Sequence, residues 1–514
     1  MLDTRAPAMR PAELARWAWR QLTSMRTALV LLFLLTLAAL PGSLVPQRGV
    51  DPLRVQEFSQ DNPTLARWYE RLSLFDVYSS PWFAATYLLL FVSLIGCVLP
   101  RSRAHWTAVR ARPPAAPRNL DRLPAHESWT TEATPAEVLA GARTALRDAR
   151  FRVEDGDGSV AAERGHWRET GNLVFHLALL LLLVAVALGN LFGFKGSVLV
   201  VEGRAFSNTV TAYDEFSSGV GFDEGSLVPF TLGLDELAVR YQRSGEQRGA
   251  PRDFRADVTY SPAPDAPERR GVLRVNHPLT IDGTKVFLLG NGYAPVFTVR
   301  DSTGAVVFSG PVPFLPRDGN MASTGVVKVP SAQPEQLGFE GLFLPTAVLD
   351  PAQGPVSAYP DTTLPRAVLT AFTGDLGVDD GSPQSVYSLD RSGLTQVTGE
   401  NGQPLAQSLA PGATMELPDG ASITFDGVRR WASLQVARNP GTGPALAASV
   451  LALGGLMLSL FVRRRRVWVR AVATAEGRTL VEVAGLARAE GESRDALADE
   501  VGALAERIGL ERTS

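Results

Sequence analysis

Cysteine is almost absent from this chain. Cys97 is the only one in 514 residues, so the chain forms no disulfide with itself and has no Cys-x-x-Cys motif for thiol exchange or haem attachment. On its apolar background, Cys97 is interpreted as a small buried hydrophobic residue. Histidine is also scarce, and no two histidines have the spacing of a zinc-ligand pair on a helix or hairpin. The five are His105, His126, His166, His176 and His277.

Several catalytic and nucleic-acid signatures are missing as well. The sequence has no Gly-x-Ser-x-Gly motif, no Walker loop and no His-Glu-x-x-His motif. Its polar segments contain no recognisable nucleophile with an acid or base beside it. The net charge of −3 gives no support for a nucleic-acid partner. These absences argue against a soluble-type enzyme and against a nucleic-acid-binding protein.

Long apolar runs, in contrast, are abundant. Four of them, each close to the ~20 residues that cross a bilayer, predict transmembrane helices. They are residues 27–46, 82–100, 173–194 and 445–462. The first lacks a small-x-small cleavage site and is expected to be a retained helix rather than a signal peptide. The sequence therefore predicts a polytopic α-helical protein embedded in the lipid bilayer.

Arginine flanks three of the four runs. Basic residues beside a span mark its cytoplasmic side. The clusters are Arg5, Arg10, Arg16, Arg20 and Arg26, then Arg101, Arg103, Arg110, Arg112 and Arg118, and finally Arg463–Arg466. Together they predict a cytoplasmic N-terminus (1–26), loop (101–172) and tail (463–514). Residues 47–81 and 195–442 are then extracytoplasmic.

The polar segments predict two folded parts. Residues 195–442 contain short alternating strands separated by turn signals, which predicts an all-β sandwich or open barrel. Residues 101–172 predict a small α+β module, a spacer or a regulatory element, with Thr134 and Glu137 forming a helix capping box. In the tail, Leu497, Val501, Leu504 and Ile508 share one helix face. That face packs on the small module or on a partner helix.

His176 is the residue that most needs an explanation. It stands near the start of the third span, and ionisable side chains inside membrane helices are rare and often functional. Two interpretations remain open from spacing alone. His176 is an interfacial residue bonded to a neighbouring helix, or it is an axial ligand to haem iron, a role that suits imidazole.

The remaining histidines carry weaker signals. His277 stands in the segment Val-Asn-His-Pro-Leu, where a loop residue beside a proline-stiffened turn is favoured over a ligand. His105, His126 and His166 are interpreted as ordinary surface residues of the 101–172 loop. No other titratable group in the spans suggests a proton relay.

Four separated segments carry a family resemblance. In chain order they are 42–47 (Gly-Ser-Leu-Val-Pro-Gln), 75–83 with 93–97 and Arg101, 165–171 with Phe175 and His176, and 275–279 with Gly283 and Phe287. Together they resemble the ResB family of cytochrome c biogenesis proteins (system II). Each segment is short. Their order and the predicted topology both agree with the family, so the resemblance extends over most of the chain.

The resemblance implies a multi-pass plasma-membrane subunit with both termini cytoplasmic. Such a subunit works with a ResC/CcsA-type membrane protein to carry haem b outward and present it, non-covalently held, to the Cys-x-x-Cys-His motif of apocytochrome c. A thioredoxin-like reductant acts indirectly by keeping that motif reduced. The family match favours His176 as the intramembrane haem ligand, leaves His277 as a weaker second candidate, and implies no catalysis by this chain alone.

A second hypothesis comes from a different class of protein. The chain could be a membrane-anchored sensor or scaffold whose outer β-domain binds a ligand. A sensor would tolerate substitution of His176 and be sensitive to changes in the tail, whereas haem delivery predicts the reverse. A secondary transporter is disfavoured because the four spans show no inverted repeat.

Overall fold

The computed structural model describes residues 10–50, 52–352, 354–378, 387–399, 402–487 and 494–510. The chain divides into two compact units. The first combines the residues up to Val186 with those from Thr442 onward, and the second is Ala187–Gly441. Each unit is described separately below.

The helices of the described chain include four that are long and apolar enough to cross a membrane, α2, α5, α7 and α8. The bounds are α1 (Pro11–Leu22), α2 (Met25–Leu44), α3 (Pro52–Asp61), α4 (Pro63–Arg71), α5 (Pro81–Arg110), α6 (Pro135–Asp148), α7 (Trp167–Phe192), α8 (Thr442–Phe461) and α9 (Arg494–Leu510). Helix α5 continues ten residues beyond the predicted 82–100 span, and α7 begins six residues before 173. Charged residues end an apolar run without ending the helix, because Arg and Glu are good helix formers.

The strands fall into two groups, one in the first unit and the other in the second. They are β1 (Ala125–Thr131), β2 (Arg152–Gly156), β3 (Ser159–Arg164), β4 (Phe194–Val201), β5 (Ala205–Ser207), β6 (Glu215–Ser218), β7 (Thr231–Tyr241), β8 (Pro251–Ser261), β9 (Arg269–Arg274), β10 (Leu279–Ile281), β11 (Thr284–Arg300), β12 (Val306–Pro311), β13 (Leu315–Pro316), β14 (Ser323–Val329), β15 (Gln336–Leu344), β16 (Ala347–Asp350), β17 (Gly354–Ser357), β18 (Arg366–Gly374), β19 (Leu394–Gln396), β20 (Ala406–Leu409), β21 (Thr414–Glu416), β22 (Ser422–Arg438), β23 (Arg465–Ala473) and β24 (Thr479–Ala487).

The 101–172 segment and the tail form one module, which we call the composite module (residues 125–164, 465–487 and 494–510). Its antiparallel sheet has the order β1-β24-β23-β3-β2, so both tail strands lie inside the sheet. Helices α6 and α9 pack on this sheet. The four apolar residues predicted on one face of the tail helix are buried in the shared core. The tail therefore completes this module, and the first of its two predicted positions is confirmed.

The start of α6 follows its predicted capping box. The Thr134 side chain accepts a hydrogen bond from the Glu137 N–H, and the Glu137 carboxylate accepts one from the Thr134 N–H at 3.0 Å. Both donors would otherwise be unsatisfied at the helix end. The sequence predicts the start of this helix correctly because the capping residues are close together in the chain.

The second unit consists of two β-sandwich layers that share two long strands. Strands β11 and β22, 17 residues each, pair along almost their whole length. One half of this ribbon packs with β4 against the sheet β5-β7-β8-β9, and the other half packs against the sheet β13-β14-β15-β18-β19. Register shifts between Leu288 and Gly290 and between Val296 and Phe297 interrupt the pairing. Such bulges bend a strand and increase its twist. The prediction of a large β-rich region is confirmed for the described residues of 195–442.

A polar cluster lies where the two sandwich layers meet. The Arg430 guanidinium donates to the Asp361 carboxylate at 2.8 Å and to the Leu237 carbonyl at 3.1 Å. The Tyr293 hydroxyl, almost wholly buried, donates to the Pro360 carbonyl at 2.7 Å. Burial raises the pKa of Tyr293 and of Tyr241 above the usual tyrosine value. These bonds connect the shared strands to β7 and to the loop that contains Pro360 and Asp361.

Candidate functional site

Helix α7 starts at a tight corner between the composite module and the apolar span. Gly165 has φ +82°, and a β-carbon there would overlap the carbonyl of Arg463. A residue with a side chain would be strained by this conformation and blocked by the neighbouring backbone. Glycine at 165 therefore lets the chain turn from β3 into α7 beside the end of α8.

His176 lies three turns into α7 and is half-buried. Its Nδ1 is 2.7 Å from the carbonyl oxygen of Asn172, one turn earlier. A carbonyl only accepts, so Nδ1 carries the proton, and in the neutral ring Nε2 holds the free lone pair. Nε2 has no hydrogen-bond partner in the described chain. This arrangement matches the usual metal-binding imidazole, whose other nitrogen is bonded to a carbonyl.

One side of α7 packs closely against α8. A β-carbon on Gly171 would lie 2.7 Å from the Gly455 carbonyl oxygen, and one on Gly455 would lie 2.6 Å from the Phe175 nitrogen. Small residues that allow backbones to approach are typical of packed membrane helices. The turn of α7 that precedes His176 is thus held directly against α8.

Further contacts of α7 are with α5. The Tyr87 hydroxyl donates to the Leu183 carbonyl at 2.6 Å, and His105 Nε2 lies 3.1 Å from Thr170 Oγ1. His105 Nδ1 is 3.9 Å from a Glu169 carboxylate oxygen and makes no hydrogen bond. Helix α5 therefore bonds to α7 on both sides of His176 along the helix axis.

The interpretation of His105 as an ordinary surface residue is wrong. Its side chain is only 14% exposed because α5 continues past the apolar run and packs beside the start of α7. His105, His166, Glu163, Glu169 and Arg464 line one small cleft. His166 is half-buried against Trp167, and His126 is half-buried 3.6 Å from Glu482, so neither is a fully exposed surface residue.

Ion pairs fill the polar side of this cleft. Arg464 bonds to Glu163 and to Glu169, and Arg465 bonds to Glu500. Burial, with a smaller contribution from the charge of Arg465, lowers the pKa of Arg164 in the same cluster. Arg464 and Arg465 are 8% and 7% exposed. Two arginines of the block predicted to mark the cytoplasmic side thus also join α8 to the composite module.

Cys97 has a packing role of its own. Its thiol donates to the Thr23 carbonyl at 2.9 Å, and the Ser93 hydroxyl donates to the Leu22 carbonyl at 2.6 Å. These two carbonyls lie at the break between α1 and α2. Cys97 is half-buried, and its hydrogen bond adds to the packing role that the sequence predicted.

His277 lies in the second unit, at the turn between β9 and β10. Its backbone N–H donates to the Arg274 carbonyl at 3.0 Å, and Asn276 within the turn has φ +62°. The ring is exposed, with Nδ1 3.1 Å from the Val275 carbonyl oxygen. In the described chain no group of three or more His, Cys, Asp or Glu side chains is placed to hold a metal ion. The imidazole of His176 is the better placed of the two predicted ligands.

A family model described as the ResB-like family matches residues 25–496. The chain belongs to this family. Over 458 residues the ResB-like chain is 25% identical to the cytochrome c biogenesis protein CcsB of Synechococcus sp. (strain WH7803), covering 87% of the chain and 89% of the relative. It is 26% identical over 462 residues to the CcsB protein of Synechococcus sp. (strain CC9605), covering 88% of each. The resemblance predicted from the four short segments is confirmed.

Sequence reasoning missed the residues that join α5 to α7 on either side of His176. Tyr87 and His105 on α5 and Thr170 on α7 had no motif to mark them. One signal was present: Tyr87 puts a hydroxyl inside an apolar span, and such a group needs a partner. The identity of that partner, a backbone carbonyl 96 residues away, follows only from the packing of the helices.

Proposed function

We propose that this ResB-like chain is a subunit that carries or presents haem for covalent attachment to apocytochrome c, acting with a ResC/CcsA-type membrane partner. The observation that carries the proposal is His176, an imidazole on a membrane-length helix. Its Nδ1 is bonded to a backbone carbonyl, and its Nε2 has no partner among the residues that the structure describes. The biogenesis role named for the CcsB relatives supports it.

The chemistry of the site suits transient binding. Neutral imidazole is a good axial ligand to haem iron, and the Asn172 carbonyl fixes the tautomer that presents Nε2. The chain lacks the cysteine pair needed for covalent attachment to itself, so haem b would be held only by coordination and packing. A single histidine fills one axial position, and a second protein ligand then comes from elsewhere, as the partner would provide.

The arginine clusters support an orientation of the chain in the membrane. Basic residues next to α2, α5 and α8 favour a plasma-membrane orientation with both termini and the composite module in the cytoplasm. The second unit (Ala187–Gly441), which we call the β-unit, then faces outward, where apocytochrome c is matured. Its role in this proposal is docking of apocytochrome or partner, and the chain itself performs no catalysis.

Haem content of the purified complex tests this proposal. The chain is co-purified with its ResC/CcsA-type partner, and haem per complex is measured as the pyridine haemochrome. We expect wild type to retain haem and His176→Ala to lose most of it. His126→Ala removes an imidazole from β1 instead and should leave the haem content unchanged.

The second predicted ligand is tested in the same assay. His277→Ala is expected to keep the wild-type haem content, because the ring sits on an exposed turn. A His176→Ala complex with normal haem content would contradict the assignment of the ligand. A wild-type complex without haem would contradict haem binding altogether.

A further inference from the structure

Helix α5 contacts α7 at two places along its length. At the lower end, His105 of α5 contacts Thr170 and faces Glu169, and at the upper end Tyr87 of α5 bonds to the Leu183 carbonyl. Glu169, His176 and Leu183 are spaced by seven residues, just under two helical turns, so their side chains share one face of α7. His176 therefore lies between the two contacts along the helix axis, on the face that carries Glu169.

We propose that Tyr87 and His105 are positioning residues for His176. They hold α7 against α5 on both sides of the ligand and thereby fix the rotation of α7 about its axis. That rotation sets the direction in which Nε2 of His176 points. The inference rests on the proposed function, because the direction of Nε2 matters only if His176 binds haem iron.

Hydrogen bonds are well suited to this role inside a bilayer. Lipid tails are as apolar as the side chains of a membrane helix, so burial of apolar surface gives little preference for one rotation over another. Close packing and interhelical hydrogen bonds therefore decide the register. Helix α8 fixes one side of α7 through the Gly171–Gly455 contact. The two α5 contacts add further attachment points, one before and one after His176 along the helix.

The environment of His105 agrees with a positioning role. Its Nδ1 is buried without a hydrogen bond, while Nε2 contacts the Thr170 hydroxyl. The Glu169 carboxylate beside it is bonded by Arg464. His105 is therefore held against α7, beside the Thr170 hydroxyl and the ion-paired Glu169 carboxylate.

The test uses the full complex with its partner and compares paired variants. Tyr87→Phe removes the upper hydrogen bond and His105→Leu removes the lower one. The controls are Thr86→Ala and Thr107→Ala, because those hydroxyls bond only to carbonyls of α5 itself, at Trp82 and Arg103. His105→Gln keeps a donor that reaches Thr170 and serves as the conservative rescue.

Three quantities are measured on each complex: haem per complex, the Soret maximum and midpoint potential of the bound haem, and the melting temperature of the haem-free complex. We expect Tyr87→Phe and His105→Leu each to lower haem affinity about threefold, the typical value of one interhelical hydrogen bond. The Soret maximum and potential should shift in both, while His105→Gln and the two controls match wild type.

The outcomes separate this inference from the proposed function. If wild type binds haem through His176 while Tyr87→Phe and His105→Leu match their controls, the positioning role is wrong and the proposed function stands. A lower melting temperature with an unchanged Soret band and potential would also overturn it, since that result describes a purely structural contact. If the wild-type complex holds no haem, both proposals fail.

Discussion

Gly455 of α8 lies against the backbone of α7 so closely that a β-carbon on it would come within 2.6 Å of the Phe175 nitrogen. Phe175 directly precedes His176. The next residue of α8, Gly454, has no atom within 4 Å of a β-carbon built on it. Two adjacent glycines of one helix therefore differ completely in what they contact.

This difference predicts opposite effects of the same substitution. Gly455→Ala should destabilise the chain by about 1–3 kcal/mol, the usual effect of overpacking a well-packed contact. Gly454→Ala should be neutral or slightly stabilising, because alanine is the better helix former. Equilibrium unfolding in detergent measures both. Equal effects of the two substitutions would contradict the close contact between α7 and α8.

The polar junction of the β-unit predicts a second pair of variants. Arg430→Met removes the guanidinium that donates to the Asp361 carboxylate and to the Leu237 carbonyl. The Arg430 side chain is 21% and that of Asp361 36% exposed, so the loss should be roughly 1–3 kcal/mol rather than the larger value of a fully buried pair. Thermal unfolding of the full chain in detergent measures this loss.

Arg240→Met is the matched control for that junction. Arg240 bonds to Asp253 at 2.7 Å, but its side chain is 77% exposed. Solvent screens such a pair, so its removal should not change the melting temperature measurably. A control as damaging as Arg430→Met would mean that the junction contributes no more than an ordinary surface ion pair.

Asp301 predicts how stability depends on pH. The Thr303 hydroxyl at 2.6 Å, followed by the N–H groups of Thr303 and Ala305, holds the pKa of Asp301 below the usual aspartate value. The folded state then binds fewer protons than the unfolded state. The contribution of Asp301 is therefore complete above about pH 4, the unfolded pKa, and is lost as the pH falls through the folded pKa.

The measurement is the melting temperature of the full chain between about pH 7 and pH 3. Asp301→Asn keeps an acceptor oxygen but cannot titrate, so its melting temperature should fall less steeply below about pH 4 than that of wild type. Parallel curves for the two chains would show that Asp301 does not carry this part of the acid sensitivity.

The membrane helices and the β-unit could be predicted because their signals are local. Apolar length gives α2, α5, α7 and α8, and alternation with turn residues gives the strands between Phe194 and Arg438. The pairing of β11 with β22 along almost their whole length was not predictable. Its register shifts interrupt the alternation, and its partner lies more than 100 residues away.

The composite module shows a second limit of prediction. The tail helix was recognised from its apolar face, yet β23 was not, because it begins at Arg465 inside a run of arginines. Arginines of this run pair with Glu163, Glu169 and Glu500, which lie in distant parts of the sequence. Charge alone predicted a cytoplasmic flank for the run, and the partners that bury it become apparent only in three dimensions.

The candidate site was predicted in part. The sequence singled out His176, but neither the tautomer fixed by Asn172 nor the contacts from Tyr87 and His105 follow from spacing within one helix. Interhelical contacts depend on the rotation of each helix, which hydropathy does not specify. The prediction that His105 is an ordinary surface residue was wrong for this reason.

The most direct test of the central claim is covalent-haem peroxidase staining of membranes from cells that lack this chain. Complementation compares wild type, His176→Ala and the control His126→Ala, with chain levels matched by immunoblot. The account predicts that c-type cytochrome bands disappear in the deletion strain and return with wild type and His126→Ala, but not with His176→Ala. Unchanged bands in the deletion strain would contradict the account and favour the sensor hypothesis.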